Sequence, residues 1–565
     1  MTSSAQIAAP PSENSNQVSP LTGYNLFLTD PTLVEAVKRE GASWAVDQIS
    51  ELGEILGTAE GQNWGIEANE NTPVLHTHDR NGNRRDEVLF HPSWHRLMKT
   101  SIGHQLHSLP WLEPKKGAHV ARAALMMITV QNEAGHTCPV SMTFSGLATL
   151  RTETALAREW EPRILSSAYD PRFIPAAGKR GVLLGMGMTE KQGGSDVRAN
   201  TTRAERIGNS REYLITGHKW FCSAPMCDAF LILAQAEKGL SCFLLPRWTP
   251  TGERNRFFIQ RLKDKMGNRS NASSEVEFES AWAHMVGEEG RGVSTIIEMV
   301  NRTRLDCAVA SAGLMRQALL QALHYCLQRK AFGKVLMEQP LMRNVLADLA
   351  VESEAATLLA MRLASSFDAR ETDEHERAFC RIATAFSKYW LCKRSPVHVG
   401  EALECLGGNG YVEDSGMPRL YREAPLYGIW EGSGNVICLD VLRALAKEPG
   451  TVDAVVQELR AARGGDPRLD AYLAQTETEL TACLKQGLKN GGGEAEIQAR
   501  RLAERLALAL QSTLVVRHSP DGFAEAFIAS RLLGDHGQNF GTLPAGLNLS
   551  GILDCVSAPL KRITA

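Results

Sequence analysis

Two periodicities of apolar residues alternate along the chain and divide it into regions. The first helical region begins at Pro31, where PTLVEAVKREGASWAVDQISELGEIL repeats apolar residues at intervals of three and four, as an amphipathic helix does. We therefore predict a mostly helical N-terminal domain over residues 30–180. Residues 1–29 open with the polar stretch MTSSAQIAAPPSENSNQVSP and are predicted to be a disordered lead.

The next region changes to a period of two and to short apolar runs. FLILAQA and LSCFLLP are separated by EKG, which is typical of a β-hairpin, and REYLITGHKWFCSA and SSEVEFES alternate between apolar and polar residues. These patterns predict a β domain over residues 181–285.

The helical period returns after the β domain. Long runs of good helix formers, such as NRTRLDCAVASAGLMRQALLQALHYCLQRKAF, predict a helical bundle over residues 286–445. KEPGT, residues 447–451, is a predicted linker, and residues 446–565 form a predicted extra helical domain that the glycine-rich KNGGGEAE interrupts. The predicted fold class is α+β, with helical, β, bundle and further helical domains in that order.

Composition narrows the class of protein. The 565 residues are 43% hydrophobic and 22% charged, and the formal net charge is −3. These values are typical of a globular protein of several domains, and the charge gives no overall attraction to nucleic acid or to anionic membranes. The 12 cysteines form no C-x-x-C pair, and the first basic residue is Lys38. We therefore expect reduced thiols, no metal site and a cytoplasmic location.

Two stretches contain glycines or basic residues suited to an anionic ligand. GMGMTEKQGGSDVRANTT (185–202) brings Thr189, Gly194 and Ser195 close to backbone amides that glycine leaves accessible, although an ordinary β-turn is the simpler explanation. RKAFGKVLMEQP (329–340) begins with two basic residues, which also suit a helix C-terminus without any ligand.

Two further stretches lie near the end of the predicted bundle. In ECLGGNGYVED (404–414), Gly407 and Gly408 either end a helix or admit a phosphate or ribityl chain. In LYGIWEGSGNVICLDVL (426–442), Glu431 is a carboxylate that follows aromatic and aliphatic residues, with no obvious cation beside it. Burying such a charge costs free energy. Taken alone, Glu431 is also explained as a first-turn carboxylate of the following helix, with Ser433 as its N-cap.

Taken together and in order, these stretches resemble the motifs of the acyl-CoA dehydrogenase superfamily. The resemblance covers roughly residues 60–445. The matching motifs are the T-E-x-x-x-G-S-D turn (TEKQGGSD, 189–196), the G-x-K-x-W-I-[ST] strand (GHKWFCS, 217–223), R-x-x-F-G with a later Gln (Arg329, Phe332, Gly333, Gln339), L-G-G-x-G-Y (406–411) and Y-E-G-T (WEGS, 430–433).

The resemblance implies a fold, a cofactor and an assembly. The family fold is a helical domain, a β domain and a four-helix bundle, usually assembled as a homotetramer, with FAD between the β domain and the bundle. The arginine motif would reach the adenine half of FAD in a neighbouring subunit. By motif, the residues that would contact FAD are Met188, Thr189, Gly194, Ser195, Val197, Ser223, Arg329, Phe332, Gln339, Gly407, Gly408, Trp430, Ser433 and Asn435.

The resemblance also makes Glu431 the general base, which removes the α-proton of an acyl thioester while hydride leaves the β-carbon for flavin N5. We expect apolar neighbours such as Ile429 and Trp430 to raise its pKa. Some members carry the base on the long bundle helix instead, but the corresponding position here, about Thr303, has no carboxylate. Phe221 replaces the tryptophan that usually packs on the flavin, and Trp430 replaces a tyrosine, which is expected to narrow the acyl pocket.

Within the superfamily, NTTRAER, LKDKMGNRSNAS, IWEGSGN and the extra C-terminal domain are most similar to the branch that acts in the bacterial response to DNA alkylation. A DNA-binding protective flavoprotein and an acyl-CoA oxidase are therefore the alternative functions. Residues 445–565 contain 13 basic and 14 acidic residues, which is not the basic excess typical of a domain that binds double-stranded DNA. Arg500, Arg501 and Arg505 are candidates for one basic helix face, or for an ordinary solvated one.

Overall fold

The computed structural model describes residues 16–448, 450–487 and 493–564. Its N-terminal region is mostly helical, because apolar residues at helical spacing share one core with the bundle. The helices are Pro31–Arg39 (α1), Val46–Gly57 (α2), Ala59–Glu70 (α3), Pro92–Gly103 (α4), Leu109–Leu112 (α5), Ala118–Asn132 (α6), Thr137–Leu150 (α7) and Thr154–Ile164 (α8).

The predicted disordered lead is too long. Residues 1–15 lie outside the described residues, but residues 16–29 are packed against the protein. Tyr24 is buried and its hydroxyl donates to Gln317 Oε1 at 3.2 Å. The apolar side chains of LTGYNLF provide the reason, because they bury enough surface to order this segment.

A β-hairpin interrupts the helical region and was not predicted. Strands Val74–His78 (β1) and Arg84–Leu89 (β2) are antiparallel, and charged side chains obscure their period of two. Asp86 attaches the hairpin to the β domain, since its Oδ1 accepts from the Ile259 N–H at 2.9 Å and its carbonyl accepts from Arg247 at 3.0 Å.

The β domain is a closed barrel. Its strands are Leu184–Gly187 (β3), Arg203–Arg206 (β4), Glu212–Ser223 (β5), Ala229–Ala236 (β6), Gly239–Pro246 (β7), Phe257–Leu262 (β8) and Ser273–Val286 (β9). The ladder β6–β4–β5–β9–β7 returns to β6, while β3 is parallel to β6 and β8 is antiparallel to β9. The hairpin predicted at EKG is the antiparallel pair β6–β7.

The bundle follows the barrel directly and is built from three long helices and two shorter ones. These helices are almost wholly buried over their central turns, as their apolar runs predict. They are Gly292–Gln328 (α9), Pro340–Ala369 (α10), Glu374–Glu404 (α11), Met417–Glu423 (α12) and Gly434–Lys447 (α13), with the short strands Lys330–Ala331 (β10) and Lys334–Val335 (β11) between α9 and α10.

The extra C-terminal domain is helical and packs on α10, α11 and α13. A buried ion-pair network joins it to the bundle, because Glu352 binds both Arg394 and Arg531 at 3.0 Å. Burial acts to raise the pKa of Glu352, but the two arginines overcome it and lower that pKa to about 2. The helices are Gly450–Arg460 (α14), Pro467–Gly487 (α15), Gly493–His518 (α16), Asp521–Phe527 (α17) and Leu549–Thr564 (α18).

Three global features bear on the expected environment. All 12 cysteines are free thiols, and ten of them are buried, in agreement with the prediction. In the part of the chain that the structure describes, no helix is both long enough and apolar enough to cross a membrane. No cluster of three or more potential metal ligands occurs among those same residues.

Candidate active site

The turn that carries Glu431 lies where the β-barrel meets the bundle. Trp430 packs against the apolar cores of both. Its ring meets the buried ring of Tyr427 edge-on, with centroids 6.0 Å apart. The turn ends at Gly434, where α13 begins. Glu431 therefore lies at a junction between domains.

Two buried cations hold the backbone of this turn. Glu431 has a φ of 57°, a left-handed conformation that costs a non-glycine residue about 1–3 kcal/mol. Arg304, on α9, donates through Nε to the Glu431 carbonyl at 3.0 Å. Lys388, on α11, donates through Nζ to the carbonyls of Trp430 at 2.7 Å and Gly432 at 2.6 Å. Side chains of the bundle thus stabilise a strained backbone at the junction.

Arg304 is itself held by a carboxylate on α13. Its Nη1 lies 2.8 Å from Asp440 Oδ2, and Arg381 binds the other oxygen of Asp440 at 3.1 Å. Burial acts to raise the pKa of Asp440, but the two arginines hold it below its ordinary value. Asp440 therefore stays charged and fixes Arg304 against the Glu431 carbonyl.

Glu431 presents two polar groups without partners. Its Oε2 is shielded from solvent and has no hydrogen-bond partner among the described residues. Its main-chain N–H likewise donates no hydrogen bond to that part of the chain. Burial raises the pKa of the carboxyl, while the Thr303 hydroxyl and the charges of Arg304 and Lys388 oppose the rise. The residue combines a basic carboxylate with a free backbone donor.

Two expectations about the surroundings of Glu431 were wrong. Ile429 is 65% exposed and does not desolvate the carboxylate. Cations do lie beside it, namely Arg304 and Lys388. The capping alternative also fails, because Ser433 occupies the N-cap position of α13 without a side-chain capping bond, and no acidic residue lies in the first turn of that helix.

The glycine-rich turn after β3 lies at one end of the barrel, where hydrogen bonds to its main chain hold it. The Met188 carbonyl accepts from Asn200 Nδ2 at 2.9 Å, and the Thr189 carbonyl accepts from the Trp220 N–H at 2.8 Å. Gly194 is required here, because a Cβ at that position would lie 2.5 Å from Thr189 Oγ1. Ser195 is exposed, and Val197 begins a short 3₁₀ turn.

Ser223 faces the same region from the end of β5. Its Oγ lies 3.3 Å from Ser273 Oγ. Cys138, at the start of α7, belongs to the apolar cluster against which Trp430 packs, and burial raises the pKa of its thiol to about 12. The barrel end and the Glu431 turn therefore border one region.

Phe221 lies two residues before the end of β5 and is 50% exposed. Lys263 Nζ lies 4.5 Å from the centroid of its ring and 3.7 Å from that of Trp220. The phenyl ring thus has an accessible face beside a cation.

A second set of predicted cofactor residues lies on the bundle surface. Phe332 is 98% exposed in a left-handed conformation, and Arg329 donates to the Asn16 carbonyl. Gln339 Nε2 donates to the Ala331 carbonyl at 2.9 Å, which closes the loop. In the described part of the chain, no hydrogen bond joins these residues to the Glu431 turn.

The turn at Gly407 and Gly408 also lies at the surface. Gly407 needs its left-handed φ of 59°, and a Cβ at either glycine would meet nothing within 4 Å. Asn409 in the same turn binds the Tyr325 hydroxyl at 3.1 Å. Open backbone of this kind leaves room for a ligand to approach.

These features fit a flavin dinucleotide in two separate parts. The barrel end and the Glu431 turn offer free backbone donors and an unpartnered carboxylate oxygen, which suit a polar ring system beside a substrate. The loop with Phe332 and the turn at Gly407 and Gly408 both face outwards. They therefore suit a dinucleotide bound by a neighbouring subunit more than one bound by the same chain. Each predicted contact residue stays a prediction, but its placement suits the group.

Sequence reasoning missed the residues that hold the turn, Arg304, Lys388 and Asp440. Arg304 and Lys388 bind main-chain carbonyls 127 and 42–44 residues away. Main-chain atoms carry no residue-specific signal, so one sequence does not reveal such contacts. The only hint was the presence of charged residues inside otherwise apolar helices.

The three arginines suggested as a basic face do not point the same way. Arg500 donates to Asn435 Oδ1 at 2.9 Å, and Arg505 binds Glu479 at 3.2 Å and Thr476 at 3.0 Å. Arg501 alone is exposed without such a bond. In this chain the structure thus gives no common basic face from the three.

Three family models match the chain. They are described as the adaptive response protein AidB N-terminal domain (residues 16–171), the acyl-CoA dehydrogenase middle domain (185–281) and the acyl-CoA dehydrogenase C-terminal domain (290–446). Together they cover the N-terminal helical region, the barrel and the bundle.

Individual relatives agree with the family models. The chain is 47% identical over 467 residues to the acyl-CoA dehydrogenase-like protein AidB of Escherichia coli K12, covering 82% of this chain and 86% of that protein. It is 30% identical to acyl-CoA dehydrogenase family member 11 of Caenorhabditis elegans, covering 88% and 85%. A crystal structure of C. elegans ACDH-11 in complex with C11-CoA superposes with a TM-score of 0.83 at 27% identity, covering 93% and 94%. The chain therefore belongs to the acyl-CoA dehydrogenase family of FAD-dependent oxidoreductases, in the branch that includes AidB.

Proposed function

We propose that this protein oxidises an acyl thioester between its α and β carbons, with Glu431 as the base that removes the α-proton. The observation that carries the proposal is the unpartnered, solvent-shielded Oε2 of Glu431 at the junction of barrel and bundle. An α-proton is weakly acidic, so its acceptor must be basic and dry, and burial raises the pKa of this carboxyl. Membership of a family of acyl-CoA oxidoreductases supports the same reaction.

The free main-chain N–H of Glu431 supplies the second requirement. As the α-proton leaves, negative charge builds on the thioester oxygen and must be stabilised by a donor already in place. The Glu431 N–H has no partner in the described chain, and the bonds from Arg304 and Lys388 keep its backbone from turning away. Base and donor therefore come from one residue whose conformation the bundle fixes.

FAD, when bound, supplies the acceptor for the hydride that leaves the β-carbon. The barrel end would hold its ring system, and the start of α13 would hold its phosphate or ribose groups. The outward-facing residues would hold the adenine half of a neighbouring subunit's FAD. The barrel and Glu431-turn residues are Met188, Thr189, Gly194, Ser195, Val197, Ser223 and Trp430, those at the start of α13 are Ser433 and Asn435, and the outward-facing ones are Arg329, Phe332, Gln339, Gly407 and Gly408.

The outward-facing residues also support a homotetramer. Phe332 and Tyr411 are 98% and 84% exposed, an unusual exposure for aromatic side chains. A cofactor half bound by a neighbouring subunit would cover both. Size-exclusion chromatography with light scattering tests this assembly.

The substrate class is a CoA thioester with a compact acyl group. A relative of the same domain order, ACDH-11, is described in complex with C11-CoA, which supports a CoA ester here. The Trp430 ring, which packs edge-on with Tyr427 next to Glu431, is the feature that we expect to limit the size of the acyl group.

Anaerobic titration with a panel of acyl-CoA esters tests the function. We expect the flavin absorbance to bleach in proportion to ester added and an enoyl-CoA product to form. No bleaching with any ester would overturn the proposal. The oxidase alternative predicts that the reduced flavin reacts rapidly with oxygen, whereas a dehydrogenase that passes electrons to another protein reacts slowly.

A role in protecting DNA from alkylation stays a prediction supported by the similarity to AidB. The balance of charge in residues 445–565 does not strengthen it. Retention of double-stranded DNA at low salt, lost progressively as salt rises, is the result that the role requires.

A further inference from the structure

One hydrogen bond connects the extra C-terminal domain with the start of α13. Arg500, on α16, donates through Nε to Asn435 Oδ1 at 2.9 Å. Asn435 is in the first turn of α13, four residues beyond Glu431. The contact therefore joins the domain that ordinary members of the family lack to the turn that carries the proposed base.

The direction of this bond determines what Asn435 presents to a ligand. Its amide oxygen faces Arg500, so its Nδ2 group points elsewhere, and Nδ2 donates to no described residue. A donor in that position, beside the unpaired amides of a helix start, suits a phosphate or ribose oxygen.

A second cation converges on the same point. A Cβ at Gly434 would lie 3.2 Å from Lys393 Cε and 3.3 Å from Arg500 Nη2. Two cations beside a helix N-terminus repel its positive dipole end, and no acidic residue lies in the first turn to balance them. Glu504, one turn beyond Arg500, forms no ion pair with it in the described chain. The arrangement is favourable when an anionic group lies between these charges.

Helix α16 holds Arg500 in place. Trp390 on α11 donates through Nε1 to Gln511 on α16 at 2.7 Å, and Ala499, Leu502 and Ala503 beside Arg500 are buried. The guanidinium is exposed, but its helix is fixed on the bundle, so the main chain of Arg500 is already in place for the bond to Asn435.

We propose that Arg500 is a positioning residue for FAD, which orients Asn435 as a donor and adds positive charge beside the phosphates, so that the C-terminal domain controls cofactor affinity. This inference rests on the proposed function, because it assumes that FAD is bound at the start of α13. A purely structural role would instead stabilise the empty protein without changing its affinity for FAD.

The test compares Arg500→Gln with Arg501→Gln in the full-length protein. Both variants remove one positive charge from neighbouring exposed positions of α16, but only Arg500 contacts Asn435. FAD dissociation constants are measured by titrating the apoprotein with FAD, and the thermal midpoint of each apoprotein is measured alongside. We expect Arg500→Gln to bind FAD about tenfold more weakly and Arg501→Gln to stay within about twofold of the unmodified protein.

Two further variants test the route through Asn435. Asn435→Ala should weaken FAD binding, and adding Arg500→Gln to it should weaken binding by less than Arg500→Gln does alone. Arg500→Lys keeps the charge but not the Nε bond, and should bind FAD roughly threefold more weakly.

The outcomes separate the two hypotheses. Equal FAD affinity in Arg500→Gln and Arg501→Gln, or fully additive effects with Asn435→Ala, overturns the role of Arg500. An unmodified protein that takes up no FAD overturns the proposed function instead. A lower apoprotein midpoint in Arg500→Gln without any change in FAD affinity assigns the bond to stability alone and contradicts the inference.

Discussion

Arg304 and Glu431 are 127 residues apart in sequence, and the Arg304 Nε donates to the Glu431 carbonyl at 3.0 Å. The bond holds Glu431 by its main chain and leaves the carboxylate Oε2 without a hydrogen-bond partner among the described residues. A salt bridge to the carboxylate would have lowered its basicity, whereas a bond to the carbonyl fixes the geometry at smaller electrostatic cost. Arg304 thus fixes the position of the base, while its charge opposes only part of the rise in pKa that burial causes.

Replacing Arg304 with Gln should therefore disturb geometry more than cofactor binding. We expect turnover to fall by about 10²-fold, since small displacements of a catalytic group have effects of that order. The variant should retain FAD but be less stable by about 1.5–3 kcal/mol, because Asp440 loses one charged partner and keeps Arg381. Steady-state kinetics and urea unfolding measure both effects.

Arg302→Gln is the matched control, since Arg302 is buried on the same helix but binds Glu298. If both variants lost activity equally, the carbonyl bond of Arg304 would have no special role.

The pH dependence of flavin reduction follows from the raised pKa of Glu431. The base must be deprotonated, so the rate constant for reduction by an acyl-CoA should rise with pH along an acid limb. That limb should lie above the range of an ordinary glutamate, because burial disfavours the charged form. Stopped-flow reduction across pH measures it. A rate independent of pH from mildly acidic to neutral conditions would remove Glu431 from the proton transfer.

The raised pKa of Glu431 should also make the free energy of unfolding depend on pH. The folded carboxyl binds its proton more tightly than the unfolded one, so the folded state holds more protons between the two pKa values and loses stability as pH rises through that window. Glu431→Gln lacks this penalty and should be more stable than the unmodified protein above the window. The difference should vanish below the ordinary glutamate pKa. Unfolding by denaturant at several pH values measures it, with the exposed Glu404→Gln as control.

Trp430 should control the size of the acyl group accepted. Trp430→Phe removes the larger ring beside Tyr427 and should shift the preferred acyl chain to a longer one, by about tenfold in relative kcat/KM. Competition between short and long acyl-CoA esters measures the shift. An unchanged preference would show that the pocket is limited by another residue.

The sequence predicts the long elements well because burial enforces their periodicity. Helices α9, α10 and α11 and the β6–β7 hairpin each bury continuous apolar runs, so the pattern is clear. The β1–β2 hairpin was missed because its strands are half exposed and carry charge. Residues 16–29 were wrongly predicted to be disordered because the polar residues that precede LTGYNLF dominate the composition of the segment.

The residues of the candidate site also differ in how well the sequence predicts them. Glu431 and the glycine turns belong to local motifs, so the sequence identifies them. Lys388 and Arg304 bind main-chain carbonyls brought close only by the packing of α9 and α11 on the turn, which leaves no local trace. Ile429 was misjudged because apolar character does not decide which way a side chain faces in an irregular turn.

The central claim, that Glu431 removes the α-proton, is tested most directly by exchange of the α-hydrogens of an acyl-CoA with solvent deuterium. Chemically reducing the flavin beforehand blocks hydride transfer, so the exchange reports the base alone. The unmodified protein should catalyse the exchange, and Glu431→Gln should retain its FAD but slow the exchange by about 10³-fold. Exchange at an unchanged rate in Glu431→Gln would contradict the account.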